Sequence, residues 1–163
     1  LSAFGASEMM TLDQRFDGTT GWALSPMQGD QQITGNQLEN MKNNSFPSPL
    51  LTYKETGTKV ELLPQETVGG KTYIVLQIAP KTGSASKAYI NPATYLIERM
   101  VAKVTVPDAG EVEQTSELSD YRVVDGVQVP FVVFNSSPLQ SVRITLKTVE
   151  HNIALDDAMF SVK

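Results

Sequence analysis

The segment from Glu111 to Glu150 constrains the fold more than any other part of the chain. It divides into three alternating runs, Glu111–Arg122, Val127–Phe134 and Ser141–Glu150, each read as a strand. Asp125-Gly126 separates the first two, and Asp-Gly between alternating runs is the strongest short-range hairpin signal, because both central residues of that turn need a positive φ. Asn135-Ser136-Ser137-Pro138 separates the second from the third, a polar turn cluster closed by a proline. In the last run Val142, Ile144 and Leu146 share one side, while Arg143, Thr145 and Lys147 share the other. Such a sheet has one wet face and one face that the rest of the chain must cover.

The preceding sequence extends this pattern. Met9–Phe16 alternates, Asp17-Gly18 turns the chain, and Gly21–Leu24 returns with Trp22 and Leu24 on one face. Lys59–Pro64, a turn at Val68-Gly69-Gly70, and Lys71–Ala79 form the next pair. In the latter, Ile74, Leu76 and Ile78 share one face while Tyr73 and Val75 make the other apolar too, as in a central strand contacted from both sides. Ala88–Ile90, a turn at Asn91–Thr94 and a long strand Tyr95–Val106 lead into the three-strand block. The convincing helix is Thr34–Ser45: Thr34 and Gln37 have capping-box spacing, Leu38 and Met41 share a face, and Phe46-Pro47 stops it. Leu50–Tyr53 adds a further turn. Near the C-terminus, Asp156-Asp157 opens a single helical turn, and Ile153, Leu155 and Phe160 are expected to drop onto the sheet. The sum is about nine strands and one or two helices: a mainly β fold, with a curved antiparallel sheet or incomplete barrel whose concave face the helix covers.

Residue chemistry excludes more than it assigns. Cysteine is absent, which removes disulfides, thiolate nucleophiles and cysteine-held metals. The lone histidine, His151, has no second histidine to share a metal and reads as a strand-end surface residue. Glu111, Glu113 and Glu117 sit on the polar side of an alternating strand, where solvation rather than catalysis is expected. Gly69-Gly70-Lys71 lacks the remainder of a phosphate loop. A formal charge of -5 disfavours nucleic acid and anionic membrane surfaces. No apolar run approaches the ~18 residues of a spanning helix. No enzyme, cofactor or metal is therefore expected.

The order of features is similar to a known family. Phe16-Asp17-Gly18-Thr19-Thr20-Gly21-Trp22, Gly35-x-x-Leu38-Glu39, Val60-Glu61-Leu62 through Val68-Gly69-Gly70-Lys71-Thr72-Tyr73, and Asn91-Pro92-Ala93-Thr94-Tyr95-Leu96-Ile97 follow one another. Ser119-Asp120-Tyr121-Arg122-Val123-Val124-Asp125-Gly126, then Val149–Asn152 and Asp156–Phe160, complete the series. This series resembles the bacterial relatives of outer-membrane lipoprotein-sorting carriers, the LolA/LolB-like fold. The resemblance implies a single domain over residues 1–163 that lacks an N-terminal helix and strands of such relatives, with one sheet edge left bare. It also implies a periplasmic or cell-envelope protein whose helices lid an apolar cavity. Asn91 stands where these relatives often carry an aspartate. None of the polar residues that gate lipid uptake in true carriers can be matched to this chain.

The expected function is binding of a hydrophobic ligand, an acyl chain, lipid or lipoprotein, by burial and without catalysis. The residues expected to line the concave face are Met10, Leu12, Trp22, Leu38, Met41, Ile74, Leu76, Leu118, Val129, Phe131, Ile144 and Leu146. The competing reading is a structural or protein-interaction module whose core is filled by its own side chains. It would pair with a partner or with a second copy through the uncovered edge. An internal apolar void separates the two.

Overall fold

The computed structural model describes residues 13–25, 29–44, 49–106 and 110–160. A small sheet comes first: β1 (Asp13–Phe16), β2 (Gly21–Leu24) and β3 (Gln31–Ile33), antiparallel and in that order. Asp17 shapes the first turn, its Oδ1 accepting the N–H groups of Thr19 at 2.8 Å and Thr20 at 2.6 Å. Those bonds from Thr20 and Thr19 hold its carboxyl down at about 2. The expected strand at Met9–Phe16 is seen as β1, its first four residues lying outside the described ones. β3 was not legible in advance; Gln31-Gln32-Ile33 is too short and too polar to show a period.

Two helices follow, α1 (Gly35–Asn44) and α2 (Pro49–Thr56). The second is longer than the single turn expected. Seven strands then form one antiparallel meander: β4 (Lys59–Val68), β5 (Lys71–Ala79), β6 (Ser86–Ile90), β7 (Ile97–Val106), β8 (Gly110–Val124), β9 (Val127–Ser136) and β10 (Ser141–Thr145). Each strand pairs with its sequence neighbours, so the order runs from β10 at one edge to β4 at the other. The sheet is not closed into a barrel. The turns are those the sequence demands: Gly69-Gly70 and Asp125-Gly126 all carry positive φ.

Two irregularities matter. The register slips between Leu63 and Glu66, where Pro64 lies inside β4, and between Tyr89 and Ile90, where Glu98 is the extra residue of β7. Bulges re-aim side chains, and here both glutamates turn to the outer face. Glu66 accepts Lys87 Nζ at 3.0 Å and the Tyr89 hydroxyl at 2.8 Å. Glu98 accepts Lys71 Nζ at 2.5 Å, the Tyr73 hydroxyl at 3.3 Å and Asn91 Nδ2 at 2.7 Å. Burial pushes the Glu98 carboxyl up, but Lys71 and Asn91 override it and the net shift is downward. Tyr73 and Tyr89 meet edge to face at 6.0 Å between ring centres. Val75, two residues from Tyr73 and the register partner of Tyr89, is fully buried. Across this outer face the register sets Val75, Tyr89, Arg99, Glu117, Phe134 and Arg143 in one row from β5 to β10.

Two expectations need correction. The run Ser141–Glu150 is a strand only as far as Thr145, with one further bond from Leu146 N to Phe131 O at 2.8 Å. Alternation reports amphipathicity, not the length of ladder that a neighbour offers. The C-terminal segment does not drop its apolar side chains onto the sheet: Ile153, Leu155 and Phe160 are 51%, 54% and 38% exposed. His151 Nδ1 lies 3.1 Å from Asp125 Oδ2, which ties the segment to the β8–β9 turn, at the end of the sheet. The predicted single turn is present at Asp157–Met159, capped by Asp156, whose Oδ1 accepts Ala158 N at 2.9 Å.

Candidate functional site

The inner face of the large sheet holds a hollow of about 360 Å³, closed from above by α1 and the start of α2. Its cause is visible in the register. One inner row runs Ile78, Ser86, Ala102, Gln114 from β5 to β8; the next runs Leu76, Ala88, Met100, Ser116. Ser86 and Ala102 in the first row, and Ala88 and Ser116 in the second, are small where leucine or isoleucine would fill the space to ordinary packing density. Ile78, Ile97, Met100, Val104 and Leu50 form the apolar walls around that gap. The volume lies within the ~300–1,000 Å³ range of small-molecule sites, and apolar lining with a few polar groups is their usual character.

α1 uses both of its faces. Leu38 and Met41 pack on the small sheet, where a Cβ at Gly21 would lie 3.4 Å from Leu38 Cδ1 and 3.3 Å from Met41 Sδ. Asn40 and Asn43, three apart on another face, line the hollow and hold the β5–β6 loop. Asn40 Oδ1 accepts Ser84 N at 2.9 Å, Asn43 Nδ2 donates to Thr82 O at 2.7 Å, and Glu39 Oε2 accepts the Thr82 hydroxyl at 2.6 Å. That hydroxyl, with Lys42 Nζ at 3.0 Å, holds the Glu39 carboxyl below its ordinary range. Gly83, at φ +91°, is required beneath them, since a Cβ there would lie 2.8 Å from both asparagine side chains. Asparagines on a surface helix read as solvated, so this latch carried no signal in the sequence.

Met10 and Leu12 lie outside the described residues. Trp22 is half-buried in β2, opposite Arg15 and Gln32, and Leu38 and Met41 form the helix–sheet seam. Ile74 and Leu76 share the inner face with Ile78. Leu118 and Ile144 flank Val133 on the same face, with Ile144 44% exposed. Phe131 is buried, with the Arg122 guanidinium 4.3 Å from its ring centre, and Val129 pairs with Arg122 in the adjoining register. Leu146 follows the end of β10. None of these ten described residues lines the hollow itself. Large apolar side chains occupy space; the informative signal is the run of small ones, Ser86, Ala88, Ala102 and Ser116, at facing positions.

A second concavity of about 810 Å³ lies on the outer face among Lys71, Tyr73, Arg99, Tyr121, Phe134 and Arg143. It is a wide, open groove whose walls are largely committed to one another. Glu98 engages Lys71 and Tyr73, Arg99 Nη1 lies 3.4 Å from Glu117, and the Tyr121 hydroxyl donates to Ile97 O. Burial pushes that phenol up to about 12. The inner hollow, roofed in part by helices and mostly apolar, is the candidate site. Among the described residues no three His, Asp or Glu side chains gather as a metal site would require, and no helix is long and apolar enough to cross a membrane.

No family model and no curated protein matches the sequence. Solved structures do match in shape. A LolA superfamily protein from Nitrosomonas europaea superposes with a TM-score of 0.54 at 14% identity, over 93% of this chain and 70% of its own. A domain assigned to outer-membrane lipoprotein sorting, from Vibrio parahaemolyticus, gives 0.52 at 14% identity over 86% of this chain. This chain has the LolA-like fold. It spans 63% of the length of the Vibrio domain, so the likeness concerns the architecture of sheet and covering helices. In LolA-like terms, the hollow described above lies between that sheet and its helical cover.

Proposed function

We propose that this protein binds a small hydrophobic ligand, an acyl chain of a lipid or lipoprotein, in the bacterial periplasm or envelope, by burial and without chemistry. The observation that carries the reading is the mostly apolar hollow beneath α1 and α2. A chain that filled its own core would place larger residues at Ala102 and Ser116. At ~0.8 kcal/mol per sequestered methylene, ten methylenes contribute about 8 kcal/mol gross. Ordering and desolvation subtract from that, and since ~8 kcal/mol corresponds to about 1 μM, ten methylenes alone give binding weaker than micromolar, suited to a carrier that releases its load. The envelope location and the lipoprotein-type partner are supported by the fold shared with the two structures named above. The inner-face side chains Ile74, Leu76 and Leu118 would meet the portion of ligand that extends beyond the hollow.

Native mass spectrometry of gently purified protein is expected to show co-purified lipid. Titration with the neutral fluorophore N-phenyl-1-naphthylamine is expected to show saturable enhancement. Absence of both would end this reading. The sheet edges support a second one: among the described residues β4 pairs only with β5 and β10 only with β9, and Leu62 in β4 is 73% exposed. An open edge pairs readily with another strand, so a concentration-dependent dimer in analytical ultracentrifugation, with no ligand bound, would favour an interaction module.

A further inference from the structure

We infer that the hollow selects ligands whose head group is uncharged, an acyl chain ending in an ester or hydroxyl rather than a free carboxylate. The inference rests on the hydrophobic-ligand reading and adds the chemistry of the head group.

The polar side chains around the hollow fall into two sets. Asn40, Asn43, Ser84 and Ser116 are engaged: the asparagines hold the β5–β6 loop, Ser84 Oγ accepts Asn40 Nδ2 at 3.4 Å, and the Ser116 hydroxyl lies 2.6 Å from Asn135 Oδ1. Ser86 and Gln114 have no side-chain partner among the described residues. Both belong to the row Ile78, Ser86, Ala102, Gln114, with the small Ala102 between them. Strands two apart in a sheet are separated by about 9.5 Å, so the pair flanks a notch open to the hollow. A hydroxyl and an amide supply donors and acceptors and no charge.

Charged groups are directed elsewhere. Among the described residues Lys103 is the one ionisable residue on the hollow's border, and its register partner is Glu113; alternation along β7 puts it on the outer face with Val101 and Arg99. On α1, Glu39 pairs with Lys42 and accepts the Thr82 hydroxyl at the rim. In the β5–β6 loop the Lys81 side chain runs beside Gly57, where a Cβ would lie 2.4 Å from its Cε. Burying a carboxylate without a counter-charge is costly, whereas an ester or hydroxyl recovers most of its loss through one or two hydrogen bonds.

The test displaces N-phenyl-1-naphthylamine with 1-monodecanoylglycerol or with decanoate. At pH 8 the glyceride is expected to bind at least tenfold more tightly. Decanoate should gain about tenfold per unit as pH falls from 8 to 6, because its neutral form is the one that binds, while the glyceride stays level. Gln114→Lys should reverse the preference at pH 8 by supplying the missing charge; the wild-type pH series stands independently if that variant misfolds. Decanoate binding as tightly as the glyceride at pH 8, or with no pH dependence, overturns the inference and leaves the ligand site intact. Failure of the fluorophore and both ligands to bind overturns the site itself.

Discussion

The two faces of the seven-stranded sheet are made by alternate residues of the same strands, yet they are opposite in character. The outer face is filled: two bulges turn Glu66 and Glu98 onto it, each collects a lysine and a tyrosine, and Val75 beside the tyrosines is fully buried. The inner face is left short of volume by Ser86, Ala88, Ala102 and Ser116, and helices roof the gap. One face uses its side chains to hold the sheet rigid; the other uses small side chains to keep room for something else. Rigidity on one side is what allows a hollow on the other to persist without collapse.

The largest effect should come from closing the gap. Ala102→Phe places a ring in the hollow, and ligand affinity is expected to fall at least a hundredfold. Overpacking would change stability by about 1–3 kcal/mol. Fluorophore titration together with thermal melting checks this; unchanged affinity would mean that the ligand lies elsewhere. Next is Glu98→Ala on the outer face. It strands the amide of Asn91, which is 9% exposed and donates to Glu98 at 2.7 Å. An unsatisfied buried donor costs about 1–3 kcal/mol. Urea unfolding should show that loss with ligand affinity within twofold of wild type. A parallel loss of binding would show the faces to be coupled rather than separable.

Val75→Ala should cost about 2 kcal/mol, the transfer term for two carbons plus a small cavity, again without touching affinity. It sharpens the contrast because Val75 and Ala102 lie on opposite faces of one sheet, in strands separated only by β6. A cavity made under the tyrosines destabilises, while the one beneath the helices is native. Urea midpoints for the two variants, compared at equal slope, would reveal whether both sites respond alike, which would contradict the division proposed here.

Much of the frame was legible in the sequence. Asp125-Gly126 and Gly69-Gly70 marked turns that need positive φ at both positions, and Lys71–Ala79 was delimited at both ends by its flanking glycines and proline. Tyr73 and Val75 correctly announced a strand with two apolar faces. The bulges were not legible, because Pro64 inside a strand and Glu98 beside Arg99 look like interruption and charge pairing until the register is known. The hollow was hidden for a more general reason. Periodicity shows which residues face inward, but a void depends on which of them sit opposite one another. Ser86 meets Ala102, and Ala88 meets Met100, through the pairing of β6 with β7, not through their spacing in the chain.

The smallest expected effect tests the roof rather than either face. Glu39 holds Thr82 across from α1, and its carboxyl is lowered first by that hydroxyl and then by Lys42. Its charged form is therefore favoured in the folded state. The contribution is fully present above the ordinary carboxylate value of 4.5 and is lost as pH falls through the lower folded value. Glu39→Gln keeps an acceptor for Thr82 but cannot titrate, so at neutral pH affinity for a neutral ligand should shift by no more than twofold. Below pH 4.5 the wild type should weaken more steeply than the variant. Parallel acid profiles would show that the loop is held by Asn40 and Asn43 alone, with Glu39 a bystander. A steeper profile in the wild type would place part of the hollow's closure in a single surface carboxylate, although none of the hydrogen bonds of the sheet beneath it depends on that charge.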